Sequence, residues 1–538
     1  MEIGINASQP VPFSSNIPGI PLLGGLDLSE TGAALQAADS FESEAVSAQR
    51  MYPFIVIPPN QPKIAISTDQ LDKRVSSDLS KLNIKPREGI PLVGGITVEI
   101  NEETKKRLEG MGYKVIIDEK ASLIPAKPWE KKKEIFSGID SQDSVESNVE
   151  AEDISSPNAL SETRYATPLA SQFTGKGVTI AFLDTGIYPH PDFTTPRNRI
   201  VAFHDVINGK SLPYDDNGHG TQCTGIAVGN GHLSEGLYRG PAPEANIVSV
   251  KVLDKTGAGK KSDILKGLSW IMENKDRYNI KILNLSLGIQ AKPNYQDDLV
   301  EQAVEKLVDA GIIIVASAGN EGPYEGTISA PGDNPRVLTV GAADDKGTLT
   351  TTDDKMLDFS SRGPTPAGIQ KPDLVAPGEV VIGPNAPNSP VEERALRYKS
   401  NRNMLEWLNS MPESQLTSIP DDTLRMIGFS QNSIDAFNSS VYGAKQELKK
   451  QMQLTDKMPI IDNVYVGSPG TSMATTVVTG VTAQLLEANP DLNPEQIKDI
   501  LKGAADKIPG YGLNVQGAGM LDIEESLQKA LDMRKKSA

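Results

Sequence analysis

From position 175 onward the chain alternates two textures. Positions 178–183, 247–253, 280–287 and 311–316 are short, nearly unbroken apolar runs. Such runs mark strands covered on both faces, and therefore a parallel sheet. Between them, 262–274 and 297–310 carry helical patterning, and an Ala/Val/Thr/Leu-rich stretch from about 471 to 488 predicts a long buried helix. Asn493-Pro494-Glu495 announces one more helix, with a capping side chain followed by proline at the first helical position. The pattern predicts an α/β fold, a three-layer sandwich around a central parallel sheet.

Upstream the texture differs. Phe54-Ile55-Val56-Ile57, Ile96-Thr97-Val98-Glu99-Ile100 and Tyr113-Lys114-Val115-Ile116-Ile117 read as strands. A short helix starts at Asn101-Glu102-Glu103, carries Leu108 and ends near Gly110 and Gly112. Residues 51–125 are therefore expected to form a small α/β unit. Residues 1–50, rich in Ser, Ala, Gly and Pro, are expected to be a disordered leader. Residues 126–162 hold Asp140, Asp143, Glu146, Glu150, Glu152 and Asp153 without periodic apolar positions, as an acidic, protease-accessible linker would. Residues 385–463 break the sandwich rhythm with charged helical stretches, Met404, Leu408 and Met411 being spaced by four and three. This is expected to be a helical insertion placed just before the last strand and helix of the sandwich.

Composition narrows the function. A chain of 538 residues is too long for one ordinary core. With 53 basic and 70 acidic side chains, its net charge of −17 argues against nucleic acid or anionic membrane as partner. No stretch approaches the roughly 18 uncharged apolar residues that a membrane span needs. The first thirty residues carry no Lys or Arg, so no secretory signal is expected. A single cysteine, Cys223, excludes an internal disulfide framework and a four-cysteine zinc site. The expected location is the cytoplasm, with export lacking a classical signal as the alternative.

Four glycine-flanked segments carry candidate chemistry: Leu183-Asp184-Thr185-Gly186, Asn217-Gly218-His219-Gly220-Thr221, Ala318-Gly319-Asn320-Glu321-Gly322 and Gly470-Thr471-Ser472-Met473-Ala474. Each alone has a plain structural reading; a serine before a helix is usually a cap. Together they supply what nucleophilic acyl transfer requires. Ser472 needs a base, which His219 provides. The imidazole needs a carboxylate to hold its tautomer and offset its charge, the task of Asp184. The tetrahedral oxyanion needs donors, which the Ser472 N–H and the Asn320 amide supply.

The order Asp, His, Ser and the surrounding texts resemble the subtilases, the subtilisin-like serine proteases. The likeness runs from about 175 to 522, apart from the insertion. It also rests on His190-Pro191-Asp192, Val250-Lys251-Val252-Leu253-Asp254, Ser286-Leu287-Gly288, Phe359-Ser360-Ser361-Arg362-Gly363-Pro364, Lys371-Pro372-Asp373 and Ala376-Pro377-Gly378. Cys223 after the histidine and Tyr238-Arg239-Gly240-Pro241-Ala242-Pro243-Glu244-Ala245 resemble an intracellular, AprX-like branch. The resemblance implies a catalytic domain over 163–534. It implies that Gly257, Ala258, Gly259, Ser286, Leu287 and Gly288 hold a polypeptide substrate as an added strand. It also implies that the 51–125 unit is a propeptide that occupies the site and is cut away; the linker's composition places the expected self-cleavage between Ile117 and Arg164. Polypeptides and the chain's own propeptide are thus the expected partners, and no cofactor is called for.

Three positions depart from the family pattern. Thr475-Thr476-Val477 stands where a proline is usual, Gln222 where a second histidine is common, and Ile289 where a glycine is expected in the primary pocket. Asp192 matches a common calcium ligand, yet 230–234 does not read as the accompanying loop, and no metal is claimed. Phe182-Leu183-Asp184-Thr185-Gly186 also resembles an aspartic-protease motif, but the second copy that chemistry needs is missing. Gly257-Ala258-Gly259-Lys260-Lys261-Ser262 fails as a phosphate loop. Cys223, four residues past His219, falls on the same helical face; the expected reading is a small buried core residue, and the alternative is a thiol close enough for mercurials to block the site. The expectation is an active serine endopeptidase; the alternative is a catalytically silent homologue whose insertion serves as a binding platform.

Overall fold

The computed structural model describes residues 51–58, 79–123, 167–348, 350–455 and 459–537. The leader and the acidic linker expected from the sequence lie outside the described residues. The N-terminal unit comprises β1 (Tyr52–Ile57), β2 (Pro86–Ile90), β3 (Gly95–Ile100), α1 (Glu102–Gly110) and β4 (Lys114–Ile117), followed by the short β5 (Lys120–Ser122). Its four-stranded sheet runs β2-β3-β1-β4 with antiparallel pairs. β1 shows why the unit docks where it does. Phe54 and Val56 enter the unit's own core, whereas Ile55 and Ile57 on the opposite face join a core of the large domain. The period of two in a strand divides one apolar run between two cores.

The large domain begins with β6 (Thr179–Asp184), β7 (Ile200–Asp205), α2 (His219–Val228), β8 (Asn246–Lys251), β9 (Ala258–Lys260), α3 (Lys261–Asn274), β10 (Ile280–Leu285), α4 (Leu299–Asp309) and β11 (Ile313–Ser317). It continues with β12 (Leu338–Asp344), β13 (Lys355–Met356), β14 (Leu374–Pro377) and β15 (Val381–Pro384). The central sheet is ordered β13-β12-β11-β10-β6-β8-β7, with β14 also on β12; all its pairs are parallel except β12–β13. Ile180 and Phe182 of β6 face one core, and Ala181 and Leu183 face the other. β11 divides likewise, Ile313 and Val315 against Ile314 and Ala316. Both faces are covered, as the unbroken apolar runs require.

After the insertion come β16 (Ile460–Ile461), β17 (Tyr465–Ser468), α8 (Thr471–Ala488), α9 (Pro494–Ala504) and α10 (Ile523–Ser537); the insertion itself holds α5 (Pro390–Asn409), α6 (Gln431–Ser439) and α7 (Val441–Thr455). α2, α8, α9 and α10 cover one side of the sheet; α3 and α4 cover the other. α9 is capped as the sequence indicated: Asn493 Oδ1 accepts the Gln496 N–H at 2.9 Å, and Gln496 Oε1 accepts the Asn493 N–H at 3.0 Å.

Two details of the insertion correct the sequence reading. The strand after it, β17, does not join the central sheet; it pairs with β15 and β16 in a separate three-stranded sheet. Leu408 is buried in the insertion's own core and Met411 packs on it, but Met404 stays 38% exposed. The inserted helices bury a compact core among themselves, so the stripe inferred from spacing is narrower than expected.

Candidate active site

Asp184 is the last residue of β6, at the C-terminal end of the parallel strands, where such sheets place their ligands. It is 1% exposed. Its Oδ1 and Oδ2 lie 2.9 and 3.0 Å from His219 Nδ1, and Oδ1 accepts the Thr185 N–H at 2.6 Å. A carboxylate on Nδ1 keeps the proton there and leaves Nε2 as the basic nitrogen. His219 opens α2, and Gly220 beside it is required by space: a Cβ there would sit 2.3 Å from the Gly186 carbonyl oxygen. The absence of that side chain lets α2 start against the loop that follows Asp184.

Burial, the largest single influence, works against protonation of His219, but the Asp184 carboxylate and, after it, Cys223 together outweigh it and hold the imidazole well above its ordinary 6.5. Cys223 Sγ lies 3.7 Å from both ring nitrogens. Burial pushes its thiol up from 9.0, and its nearness to the ring adds to the rise at His219.

Ser472 is the second residue of α8 and is 8% exposed. Its hydroxyl donates to the Ser286 carbonyl at 3.2 Å and does not bond His219 in this structure. The structure thus brings Asp184 and His219 into contact and Ser472 onto the neighbouring strand. Such links commonly close only when substrate is seated, and one χ1 rotation separates the staggered positions of a serine hydroxyl. Asn320, in the turn after β11, has Oδ1 held by the N–H and hydroxyl of Thr471 at 3.0 and 2.9 Å. Its Nδ2 and the Ser472 N–H nitrogen lie 4.0 and 3.8 Å from the point where a Gly470 side chain would begin. Two donors thereby face the same space, the arrangement an oxyanion needs.

The substrate-binding candidates line a backbone channel. Gly257 precedes β9, which contains Ala258 and Gly259; Ser286, Leu287 and Gly288 follow β10. β5 of the N-terminal unit lies between them. Lys120, Ala121 and Ser122 pair antiparallel with Lys260, Gly259 and Ala258, the Leu123 N–H donates to the Gly257 carbonyl at 2.8 Å, and Ser122 bridges Gly288. Leu287 turns its side chain into the core at 2% exposure, so it contributes backbone. Ile289 is buried and pairs with Ala330 through N–H···O bonds of 2.9 and 3.0 Å.

Several supporting residues escaped the sequence reading. Asp215 Oδ1 accepts Thr185 Oγ1 and the N–H groups of Asn217 and Gly218 at 2.9–3.0 Å. Its Oδ2 accepts the N–H and hydroxyl of Thr221 at 2.9 and 2.7 Å. It therefore clamps the Asp184 loop to the first turn of α2. Lys251, fully buried, donates to the carbonyls of Thr185 and Leu253 and to Asp216 at 2.6–2.8 Å. A buried chain runs from Thr479 Oγ1 to Asn284 Oδ1, from Asn284 Nδ2 to Ser286 Oγ, and from Ser286 Oγ to the Ser472 carbonyl at 2.8, 3.0 and 3.2 Å. Lys251 and Ser286 lie in motifs the sequence reading quoted, without these roles; Asp215 in Tyr214-Asp215-Asp216-Asn217 stands in a charged stretch whose composition does not separate it from a solvated neighbour.

The three departures each have a local account. Gln222 Nε2 donates to the carbonyls of Val466 and Val381 at 2.8 and 3.4 Å, tying α2 to the strands that flank the insertion. Thr475 and Thr476 donate to the carbonyls of Thr471 and Met473 at 2.7 Å, inside α8. Among the described residues, Asp184, His219 and Cys223 are the acid, imidazole and thiol groups with ligand atoms within 4.8 Å of one another. Asp192 is already engaged: its carboxylate accepts the Tyr465 hydroxyl at 3.0 Å and the N–H groups of Gly231 and Leu233 at 3.2 and 3.4 Å.

Known proteins share this layout. The sequence profile of the subtilase family matches residues 175–519. Serine protease AprX of Bacillus subtilis (strain 168) is 38% identical over 359 residues, covering 66% of this chain and 67% of that protein. Subtilisin Savinase of Lederbergia lenta is 37% identical over 206 residues, 38% of this chain and 65% of its own length. The minor extracellular protease Epr of Bacillus subtilis (strain 168) is 35% identical over 193 residues, 35% of this chain and 27% of Epr. The crystal structure of fervidolysin from Fervidobacterium pennivorans, described as a keratinolytic enzyme related to subtilisin, superposes with a TM-score of 0.55 at 19% identity. That match covers 89% of this chain and 61% of fervidolysin, and it shows the fold. With its family profile spanning well over half of its residues, the chain belongs to the subtilases, a family of serine peptidases.

Proposed function

We propose that the protein is a serine endopeptidase, made as a zymogen, that works through Ser472, His219 and Asp184 and an acyl-enzyme. The reading is carried by the seating of the chain's own residues 120–123 as an antiparallel strand between 257–260 and Gly288, leading toward Ser472. A polypeptide substrate of another protein would be held by the same backbone groups, which favours extended chains of varied sequence. In the reaction His219 Nε2 takes the Ser472 proton as Oγ bonds the carbonyl carbon. The oxyanion is met by the Ser472 N–H and the Asn320 amide. The imidazolium, offset by Asp184, then gives its proton to the leaving nitrogen. Water reverses the first half on the acyl-enzyme.

The N-terminal unit acts here as the propeptide. It docks on α3 and α4 through Ile55, Ile57, Ile90 and Leu92, and its tail fills the cleft. The parking of the Ser472 hydroxyl on the Ser286 carbonyl is the observation that favours the silent-platform alternative. A fluorophosphonate probe separates the two. Covalent labelling of Ser472 in the processed protein, with full-length persistence of Ser472→Ala, is the expected result; an unlabelled, unprocessed wild type supports the platform.

A further inference from the structure

The pairing between β5 and β9 does not stop at the strand; it runs onto the helix that follows. Ser122 faces Ala258, Ala121 faces Gly259 and Lys120 faces Lys260. One position further, the Lys261 N–H donates to the Glu119 carbonyl at 2.8 Å, although Lys261 already opens α3. Side chains then take over from the backbone. Asp118 Oδ1 accepts the Ser262 N–H at 2.8 Å, and its Oδ2 accepts the Ser262 hydroxyl at 2.7 Å. Lys261 Nζ donates to Glu119 Oε2 and to Asp298 Oδ2, each at 2.8 Å. A chain extended in this register therefore lays two adjacent acidic side chains on the first turn of a 14-residue helix.

The receiving groups suit anions. The first N–H groups of a helix have no partner within it, and its N-terminus carries partial positive charge. Lys261 and Ser262 are both buried, so packing fixes their positions. Within the turn itself, Asp263 Oδ2 accepts the Lys260 N–H at 3.1 Å, and Lys266 Nζ stands 3.6 Å from Asp263 Oδ1 and offsets that charge. The N–H groups of Lys261 and Ser262 are met instead from the N-terminal unit. When that unit departs, both N–H groups and the Ser262 hydroxyl lose these acceptors, and the Lys261 ammonium loses one of its two carboxylates. A polypeptide that restores all of these bonds has to bring carboxylates.

Resting on the endopeptidase reading above, we infer that the start of α3 is a subsite for acidic side chains of substrates, selecting Asp or Glu at the two positions that precede the strand paired with 258–260. The N–H and hydroxyl of Ser262 read the first carboxylate, the one that Asp118 supplies in this structure. The Lys261 ammonium reads the second, supplied here by Glu119. Backbone pairing along 257–260 accepts any extended chain, so this turn adds a choice that the strand does not make. Hydrogen bonds to a carboxylate are about twice as strong as those between neutral groups, and an amide in its place forfeits that difference. Both contacts reach side chains that do not react. They hold ground state and transition state alike, and so act on KM rather than on kcat.

The test uses the processed enzyme, freed of the N-terminal unit, and internally quenched peptides. In each, the sequence of residues 117–123 precedes a short randomised stretch, so that no preference at the cut is presupposed. Three peptides are compared: the native one, Asp118→Asn and Glu119→Gln. Each loss of a carboxylate should raise KM about tenfold with kcat unchanged. With Ser262→Ala enzyme the difference between the native and Asp118→Asn peptides should shrink, while that between the native and Glu119→Gln peptides stays. An enzyme that labels with fluorophosphonate and digests casein but cuts all three peptides with equal KM overturns the inference. So does an Asp118→Asn difference that Ser262→Ala leaves intact. An enzyme that neither labels at Ser472 nor digests casein overturns the endopeptidase reading, and this inference with it.

Discussion

Asp184 governs the proton affinity of His219, and the sign of its effect on activity can be worked out. The carboxylate, against the opposing pull of burial, holds the imidazole above its ordinary 6.5, whereas catalysis needs the neutral ring. Activity should therefore rise as pH climbs through that raised value, giving an acid limb of kcat/KM on the alkaline side of 6.5. The ion pair's contribution to folding has the opposite trend: fully present below 6.5, it fades as pH rises through the raised value. Asp184→Asn should lower kcat by about 10⁴ and move the acid limb toward lower pH. Cys223→Ala should move the limb the same way by less, because Cys223 adds to the rise at His219 after Asp184. A pH–rate series on one peptide substrate checks both. Asp215 acts through position alone. Asp215→Ala strands three N–H groups and two hydroxyls. It should cost about 3 kcal/mol in denaturant unfolding, at the upper end for buried donors left unmade, and depress kcat more than it changes KM.

At the scale of elements, the contact between α2 and β15 is set by one missing side chain. A Cβ on Gly225 would stand 1.9 Å from Pro384 Cδ, so Gly225→Ala must push the histidine helix off the strand that leads into the insertion. The expected loss is about 1–3 kcal/mol in thermal unfolding, with reduced turnover. Gly503→Ala in α9 meets nothing within 4 Å and should instead stabilise by about 0.8–1 kcal/mol. α4 carries a second testable feature. Glu301 is fully buried and its Oε2 accepts the Asn334 amide at 2.9 Å, while its Oε1 and both Asp333 carboxylate oxygens are buried without a hydrogen-bond partner. Burial first, then the Asp333 charge, holds the Glu301 carboxyl well above 4.5; burial likewise raises Asp333. The folded pair therefore keeps a proton that the unfolded chain releases, and stability falls as pH rises through the raised values. Glu301→Gln can keep the Asn334 bond through its amide oxygen without the titration, so a series of melting temperatures from pH 6 to 10 should be flatter for the variant than for the wild type. The helices and strands that carry these features were legible because apolar period and capping are local. The short β2 and β9 and the separate β15–β17 sheet were not, because two to five residues hold too little pattern and their partners lie far along the chain.

For the whole molecule, the N-terminal unit is docked on the large domain by hydrogen bonds and ion pairs to α3. Asp118 receives the N–H and hydroxyl of Ser262 at 2.8 and 2.7 Å, placing a carboxylate on the first turn of α3. Lys261 joins Glu119 and Asp298 at 2.8 Å each, and Lys266 pairs with Glu88. Asp118→Ala should weaken the docking by about 1–2 kcal/mol. In a Ser472→Ala background this should appear as roughly tenfold faster amide exchange at 120–123. The order of Asp184, His219, Asn320 and Ser472, their glycine neighbours and the sandwich around them were readable from the chain alone. Each depends on a few adjacent residues and on a repeat of two or 3.6 positions. Which carboxylate clamps the histidine loop and which strand lies between 257–260 and Gly288 depend on contacts between residues tens to hundreds of positions apart. Nothing in local spacing encodes such contacts. They exist only once burial has ranked the alternatives, and that ranking is made by the packed chain.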